Sequence, residues 1–343
     1  MSRPTNNMSE ELFKVDGKTS VGETLPLALQ HVVAMIVGCV TPAIIVAGVA
    51  GLSEQDSVIL IQAALTMSAI TTLIQVFPLL RTGKIAIGSG LPVIMGISFA
   101  YVPTMQAIAG RFDIATILGA QIVGGIVAVF VGIFIKQIRK FFPPLITGTV
   151  VFAIGLSLYP TAINYMAGGA SNESYGSWEN WLVAIITLCI VTALNHYGKG
   201  MLKTASVFFG MVFGYVLCIL LGKVDMSAVG EAAWFALPKI FHYGVKFDLS
   251  SILAFIPAYV VSLIGTVGIM MAIGEASNQK ISSERAANGV LADGVGSLIA
   301  GIFGAGPNTA FSQNVGLITL TKVASRHVMI IAGVILTLLG VFP

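Results

Sequence analysis

Charge is scarce in this sequence. Only 10% of its 343 residues are Asp, Glu, Lys or Arg, against about a quarter in an ordinary soluble domain. With 56% of residues hydrophobic, the chain could not cover a water-facing surface of its own size, which excludes a soluble globular protein. Cysteine is scarce as well. Cys39, Cys189 and Cys218 all lie in apolar stretches; they have neither metal-ligand spacing nor a framework of pairs, and they read as inert buried thiols. No basic stripe with interleaved aromatics is present, so nucleic acid is excluded as a partner. No nucleophile–base pair, metal cluster or phosphate loop stands where catalysis would need it, so the chain does not read as an enzyme and calls for no cofactor. The first 24 residues are polar, and the apolar run that follows starts too late and is too long for a signal peptide.

What the chain has in abundance is long hydrophobic runs. Apolar windows fall at 25–50, 57–80, 88–109, 112–135, 141–160, 178–197, 203–222, 250–274, 289–305, 309–321 and 327–343, and a membrane span needs about 20 such residues. Two windows are weak as plain spans. The third, with "GSGLPVIMGISFAYVP", is rich in Gly, Pro and β-branched residues; the tenth, at 309–321, is too short to cross alone as a helix. Both read as broken segments with a short extended stretch.

Loop charge sets the expected orientation. With the N-terminus inside, only Arg111, Lys223, Lys239 and Lys246 fall in outside loops, and the other fourteen of the 18 Lys and Arg lie inside. The positive-inside rule favours this arrangement. The alternation holds only if both weak windows cross. The chain stops at "LTLLGVFP", without a polar cap or basic tail, which reads as the end of a fragment.

Unwound backbone at membrane depth is tolerated only where protein buries it or where it lines a cavity. Secondary transporters place such elements at the substrate site, in matching positions of two inverted repeats. If each repeat has seven segments, the third and tenth are each third in their half. The pattern alone therefore predicts an all-α polytopic membrane protein with a carrier architecture.

The tenth segment holds "FSQNVGLITLTK", residues 311–322, with two bulky amides in an apolar run. Amides there are costly unless paired. "QNVGLITLTK" fits the signature of the nucleobase–ascorbate transporter family at every specified position. "LQHVVAM" (29–35), "GISFAYVPTM" (96–105), "PPLITGTVVFAIGLSL" (143–158) and "NGVLADGVGS" (288–297) resemble that family's first, third, fifth and ninth helices. The resemblance runs from about residue 25 to the end. It implies a seven-plus-seven inverted-repeat carrier with a core domain and a gate domain. The division is a tail at 1–24, core at 25–135, gate at 136–249 and core again at 250–343, with the last three helices, half of the gate, missing.

The resemblance also implies roles. Gln313 offers an acceptor and two donors on one head, which suits a nucleobase edge of alternating N–H and C=O. Asn314 orients the site, and Gly316 permits close backbone packing. Ser98, Phe99 and Tyr101 sit on the other broken segment, and Phe99 or Phe311 is expected to stack on the base. His31 shapes the site. Asp293, an intramembrane carboxylate, serves coupling or the core's hydrogen-bond network, with Glu275 as a second candidate. One departure stands out in "SLIGTVGIMMAIGEAS", 262–277: in the preferred register Gly265, and in a second register Met271, stands where most relatives have a base-gripping glutamate, and ten helical residues, about 15 Å, separate Gly265 from Glu275.

The function so implied is import of a nucleobase, with Gln at 313 resembling the purine (xanthine or urate) members and Glu marking uracil carriers. A proton would be the coupling ion, the core would move elevator-fashion in the cell's cytoplasmic membrane, and homodimerisation would follow family habit. The alternatives are a uracil permease, or an uncoupled uniporter or membrane sensor because the glutamate is absent. An anion carrier of the same fold is disfavoured by the "QN" pair.

Overall fold

The computed structural model describes residues 10–17, 19–83, 85–139, 144–169, 174–224 and 235–342. Arg3, Lys18, Lys84 and Lys140 of the charge count and the terminal Pro343 lie outside the described residues.

Two stretches of chain repeat one pattern of elements. The first is α1 (Val21–Val49), α2 (Glu54–Val76), the strand β3 (Met95–Ile97) leading into the short helix α3 (Val102–Ala109), and α4 (Ile114–Ile133). The second is α11 (Leu249–Ala276), α12 (Ser283–Ile302), the strand β4 (Asn308–Ala310) leading into the short helix α13 (Ser312–Thr321), and α14 (Arg326–Val341). The packing exchanges partners between the copies: α4 runs along α12, and α14 runs along α2. That reciprocity is what an inverted repeat demands. Glycines let the partners close in. A Cβ on Gly294 would meet the Val129 backbone nitrogen at 2.9 Å, and one on Gly125 would meet Leu298 at 3.0 Å. Between helices in lipid, such small residues give the van der Waals contact that the hydrophobic effect cannot supply.

Both weak windows are broken as expected, and they meet. Strands β3 and β4 pair antiparallel, with Met95 opposite Ala310, Gly96 opposite Thr309 and Ile97 opposite Asn308. Pro92 and Pro307 precede the strands and bar a helix from running through them. Backbone groups at this depth need partners, and the bundle supplies those that the pairing leaves over. Met95 N–H donates to Thr72 Oγ1 at 2.9 Å, Phe311 N–H to the Ile94 carbonyl at 3.0 Å, Ser98 N–H to the Pro307 carbonyl at 3.0 Å, and Asn308 N–H to Ser297 Oγ at 3.0 Å.

Between the copies lie α5 (Ile135–Arg139), α6 (Pro144–Ser157), α7 (Tyr159–Met166), α8 (Trp178–Tyr197), α9 (Met201–Thr204) and α10 (Ser206–Leu220). No described side chain of α7 or α8 is buried, whereas α2 and α12 bury about half of theirs or more. Apolar helices that face outward in this way call for apolar surroundings, either lipid tails or further helices.

Charged groups are held in two separate clusters. At one end Asp16 pairs with Arg326, and Arg285 donates to the carbonyls of Ser89 and Gly90. At the other, Lys246 pairs with Asp113 and His242 with Asp56. Four details differ from the sequence reading. A hairpin, β1 (Leu79–Thr82) and β2 (Ile85–Ile87), follows α2 and has an exposed first strand. The fifth window continues past a break after Ser157 into α7. The polar tail is partly docked: Leu12 is fully buried, and its carbonyl accepts from the N–H groups of Ala324 and Ser325. Of the cysteines only Cys39 is buried; Cys189 is exposed and Cys218 intermediate, because they lie on the outward-facing helices.

Candidate substrate site

Where the two broken segments meet α11, a cavity of about 310 Å³ opens between the repeats. β3 and the turn after it bring Ser98 and Phe99 to it. β4 and α13 bring Thr309, Phe311, Ser312 and Gln313. One stripe of α11 contributes Ser262, Gly265, Thr266 and Ile269, at the three- and four-residue spacing of a single helix face. Val151 and Ile154 of α6 close the far side. A wider cleft shares Gly265, Ile269, Ser312 and Gln313 with this cavity and extends to Asn195, Lys203 and Thr204 at the junction of α8 and α9. The cavity thus opens toward the end where Lys203 lies.

The two amides of the signature part company. Gln313 is exposed to the cavity, and among the described residues its Oε1 has only a long contact, 3.5 Å, from Ser312 Oγ. Its donors and acceptor are available to a ligand. Asn314, one residue on, points back into the protein and is 1% exposed. Its Nδ2 lies 2.9 Å from His31 Nδ1 and donates to the His31 carbonyl at 3.2 Å. Asn314 and His31 therefore do not line the cavity as expected. They fasten α13 to α1, and their effect on the site is through the placement of Gln313.

The ring of Phe311 is fixed by two missing side chains. A Cβ on Gly96 would come within 2.1 Å of it, and one on Gly38 within 2.8 Å. The ring fits only because β3 and α1 both carry glycine there. Phe99, half-buried, lines the cavity as well.

Behind the wall sits Asp293 of α12, 1% exposed. Thr266 Oγ1 donates to its Oδ2, and Thr309 Oγ1 reaches the same oxygen at 3.4 Å. The two threonines are 3.0 Å apart, and Ser262 Oγ donates to Thr309 at 3.3 Å. A hydroxyl relay thus connects the buried carboxylate to the cavity surface. Asp293 Oδ1 has no partner among the described residues.

Two other expected residues fall elsewhere. Tyr101 is 1% exposed and packs its ring against Phe255 and Tyr259. The helical turn at Phe99–Tyr101 rotates it away from Phe99's side and into the bundle. Glu275 is exposed in the last turn of α11, nearly three turns beyond Gly265, and is no part of the Asp293 network. Gly316 permits no close packing, since a Cβ there would meet nothing within 4 Å; it lines the open cleft. Gly265 does line the cavity, and a Cβ on it would also meet nothing. The sequence reading missed Thr266, Thr309 and Ser262, because single hydroxyls in apolar segments give no pattern. It also missed Asn308, whose Nδ2 donates to the Met67 carbonyl at 3.2 Å and to Thr71 at 3.0 Å, tying β4 to α2.

Comparison with known proteins accords with this architecture. Among solved structures, the transmembrane domain of a cyanobacterium bicarbonate transporter, BicA, superposes with a TM-score of 0.63 over 92% of this chain and 82% of that one, at 14% identity. That likeness concerns the fold, the seven-plus-seven inverted repeat. Among curated relatives, the "Putative purine permease CPE0397" of Clostridium perfringens (strain 13 / Type A) is 44% identical over 97% of this chain and 72% of its own length. The "Xanthine permease" of Bacillus subtilis (strain 168) is 34% identical, with 95% of this chain and 74% of that protein covered. The "Uric acid transporter UacT" of Escherichia coli (strain K12) is 36% identical, with 96% and 68% covered. Residues 22–343 match the Permease family, Xan_ur_permease. With the signature, the paired broken segments and the cavity all in one place, this multi-pass membrane chain belongs to that family, the nucleobase–ascorbate transporters of its sequence motif, and to its purine branch.

Proposed function

We propose that this chain is a secondary carrier for a purine base, xanthine or uric acid, in the cell's cytoplasmic membrane, with its N-terminus inside. One observation carries the reading: Gln313 presents an unoccupied amide head to a cavity built where the two repeats cross. An amide pairs with the edge of a fused heterocycle through one donor and one acceptor. The rings of Phe311 and Phe99, both on the cavity wall, offer apolar faces to the base. The printed names of the relatives, purine, xanthine and uric acid carriers, favour a purine over uracil.

Proton symport rests on Asp293, a buried carboxylate whose hydrogen-bonding partners among the described residues, Thr266 and Thr309, both line the cavity. Binding that alters either hydroxyl's partners alters the stability of the charge on Asp293. The elevator movement is supported by the division of the walls. One wall belongs to the core, β3, β4, α11 and α13, and the other to α6 of the gate; in this reading residues 25–135 and 250–343 travel against residues 136–249. A second reading is favoured by Gly265: with no carboxylate on the cavity wall, the chain equilibrates the base without coupling.

Uptake of labelled xanthine, uric acid and uracil by cells lacking their own carriers, with and without a proton uncoupler, tests both. Uphill, uncoupler-sensitive uptake of a purine is the expected result. Uptake that only equilibrates selects the uncoupled reading, and uptake of uracil alone overturns the purine assignment.

A further inference from the structure

We propose that the cavity beside the β1–β2 hairpin holds the phosphate of an anionic phospholipid, whose acyl chains lie along the exposed apolar residues of the hairpin. This is a second binding site, and it does not depend on which base the first one takes.

The cavity, of about 690 Å³, lies at the end of the bundle where the N-terminal tail docks. It shares no lining residue with the substrate cavity or with the cleft that leads from it. Three guanidinium groups line it: those of Arg81 on β1, Arg285 on α12 and Arg326 on α14. Asp16 and Glu284 stand on the same wall, and Asp16 is bound to Arg326. The hairpin that forms one side is held in place by Asn288 of α12. Asn288 Oδ1 accepts from Ala86 N–H at 3.1 Å, and its carbonyl accepts from Gly88 N–H at 2.9 Å.

Arg285 is the informative residue. It is half-buried, and its hydrogen bonds all go to neutral acceptors: Nε donates to the Ser89 carbonyl at 2.7 Å, Nη2 to the Gly90 carbonyl at 2.8 Å and Nη1 to Gln279 Oε1 at 3.3 Å. No described carboxylate pairs with it. A second guanidinium closes on it. The position a Cβ on Gly90 would take lies 3.7 Å from Arg285 Nη2 and 3.6 Å from Arg326 Nη1. Two like charges therefore meet over a bare glycine, and the carboxylate of Asp16, itself largely exposed, pairs with only one of them. A cation drawn out of water without a counter-charge is costly. A guanidinium has five N–H donors in a fixed fork, and those that Arg285 does not spend on its three neutral partners remain for a ligand. That fork matches the oxygens of a phosphate.

The hairpin indicates what carries the phosphate. Leu79, Leu80 and Ile85 are 47%, 79% and 53% exposed beside the arginines. They follow directly on α2, which is long and apolar enough to cross a membrane, so they lie at the depth where a span ends and headgroups begin. Apolar side chains are costly in water and are at home against acyl chains. Basic pockets at the ends of spanning helices bind anionic headgroups. A soluble phosphate would engage the arginines and leave Leu79, Leu80 and Ile85 without a partner.

The test titrates the purified full chain, stripped of lipid in detergent, with phosphatidylglycerol or phosphatidylcholine. Bound copies are counted by native mass spectrometry, and the thermal midpoint is recorded on the same samples. The wild type is expected to hold phosphatidylglycerol more tightly and to gain midpoint from it. Arg81→Gln is the decisive variant, because the Arg81 side chain is exposed and bonds to no described residue. It should weaken phosphatidylglycerol about fivefold, the effect of one basic residue near an anionic surface, and leave the lipid-free midpoint unchanged. Leu80→Ser should weaken the lipid as well. Arg285→Gln, which also gives up bonds to backbone carbonyls, should lower both lipid affinity and midpoint. Inorganic phosphate and glycerol 3-phosphate, added at matched ionic strength, should stabilise far less than the lipid does. Equal stabilisation by inorganic phosphate would make this a site for a soluble phosphate and overturn the lipid assignment. Equal retention of the two lipids, or wild-type lipid affinity in Arg81→Gln, would overturn the proposal outright.

Discussion

Adding one methyl group at Gly96 should disable the site without touching a ligand. Gly96 is in β3 opposite Thr309, and the position a Cβ would take lies 2.1 Å from Cε2 of Phe311 and 3.0 Å from two more ring carbons. Ordinary contact begins at 3.4 Å, so the ring must recede by more than an ångström. It cannot retreat freely toward α1, because it already occupies the space a side chain on Gly38 would need. Gly96→Ala must therefore swing the ring into the cavity or part β3 from β4. Overpacking of this kind costs about 1–3 kcal/mol. If the ring no longer stacks on the base, loss of an aromatic pair worth about 0.5–1.5 kcal/mol weakens binding roughly two- to tenfold. The assay is twofold: the thermal midpoint of purified protein and the equilibrium binding of a purine. Both should fall. Adding Phe311→Leu, which removes the ring, should return the midpoint of Gly96→Ala toward wild type but leave binding weak. A Gly96→Ala protein with wild-type midpoint and affinity would refute the argument that paired glycines seat the ring.

Other substitutions separate the parts of the site. Asn314→Ala leaves His31 without its partner, so about 1–3 kcal/mol of stability should be lost; the thermal midpoint is expected to drop more than purine affinity does. Thr266→Val leaves Asp293 Oδ2 with only the 3.4 Å contact from Thr309. Accumulation against a gradient should fall at least about tenfold, the factor that ~1.4 kcal/mol represents, while purine affinity moves much less, as flux assays beside binding assays would reveal. At the opposite end of the bundle, the hydrogen bond from Lys246 holds the Asp113 carboxyl below its ordinary value. A depressed carboxyl contributes stability above its unfolded value and loses it as pH falls through the folded one. Asp113→Asn keeps the helix cap and removes the charge. Thermal midpoints taken from pH 7 down through pH 4 to 3 should therefore fall less steeply than in wild type, with a difference at neutral pH under about 1 kcal/mol because both partners are substantially exposed.

The sequence made the broken segments legible because they violate the rules for a plain span. Gly and Pro crowd the third, and the tenth is too short, so both had to be something other than through-running helices. Matching positions in two repeats did not say that their extended stretches would pair strand to strand, which only the structure shows. The motif located Gln313 but could not say that Asn314, its neighbour, turns away: adjacent helical residues project about 100° apart, and only the position of His31 fixes which of the two faces the protein. Tyr101 failed for a related reason, since a turn of helix between Phe99 and Tyr101 sets its direction and leaves no trace in composition. Thr266, in an apolar helix, and Thr309, in a short strand, were invisible because a threonine in either reads the same whether it faces lipid, a backbone carbonyl or a buried carboxylate. The β1–β2 hairpin was hidden by its own apolarity: Leu79, Leu80 and Ile85 continue the hydrophobic run of α2 and are exposed only because the chain turns back at Pro78.

The central claim is that Gln313 faces the ligand whereas its neighbour Asn314 serves the fold. Equilibrium binding of labelled xanthine and uric acid to purified wild-type and Gln313→Ala protein, with the thermal midpoint recorded on the same samples, tests it most directly. Removing an amide that pairs with the base should weaken binding about tenfold, the consequence of losing hydrogen bonds worth roughly 1–1.5 kcal/mol, and should leave the midpoint unchanged because the side chain makes no close contact within the protein. Wild-type affinity in Gln313→Ala, or a midpoint that falls as far as that of Asn314→Ala, would contradict it.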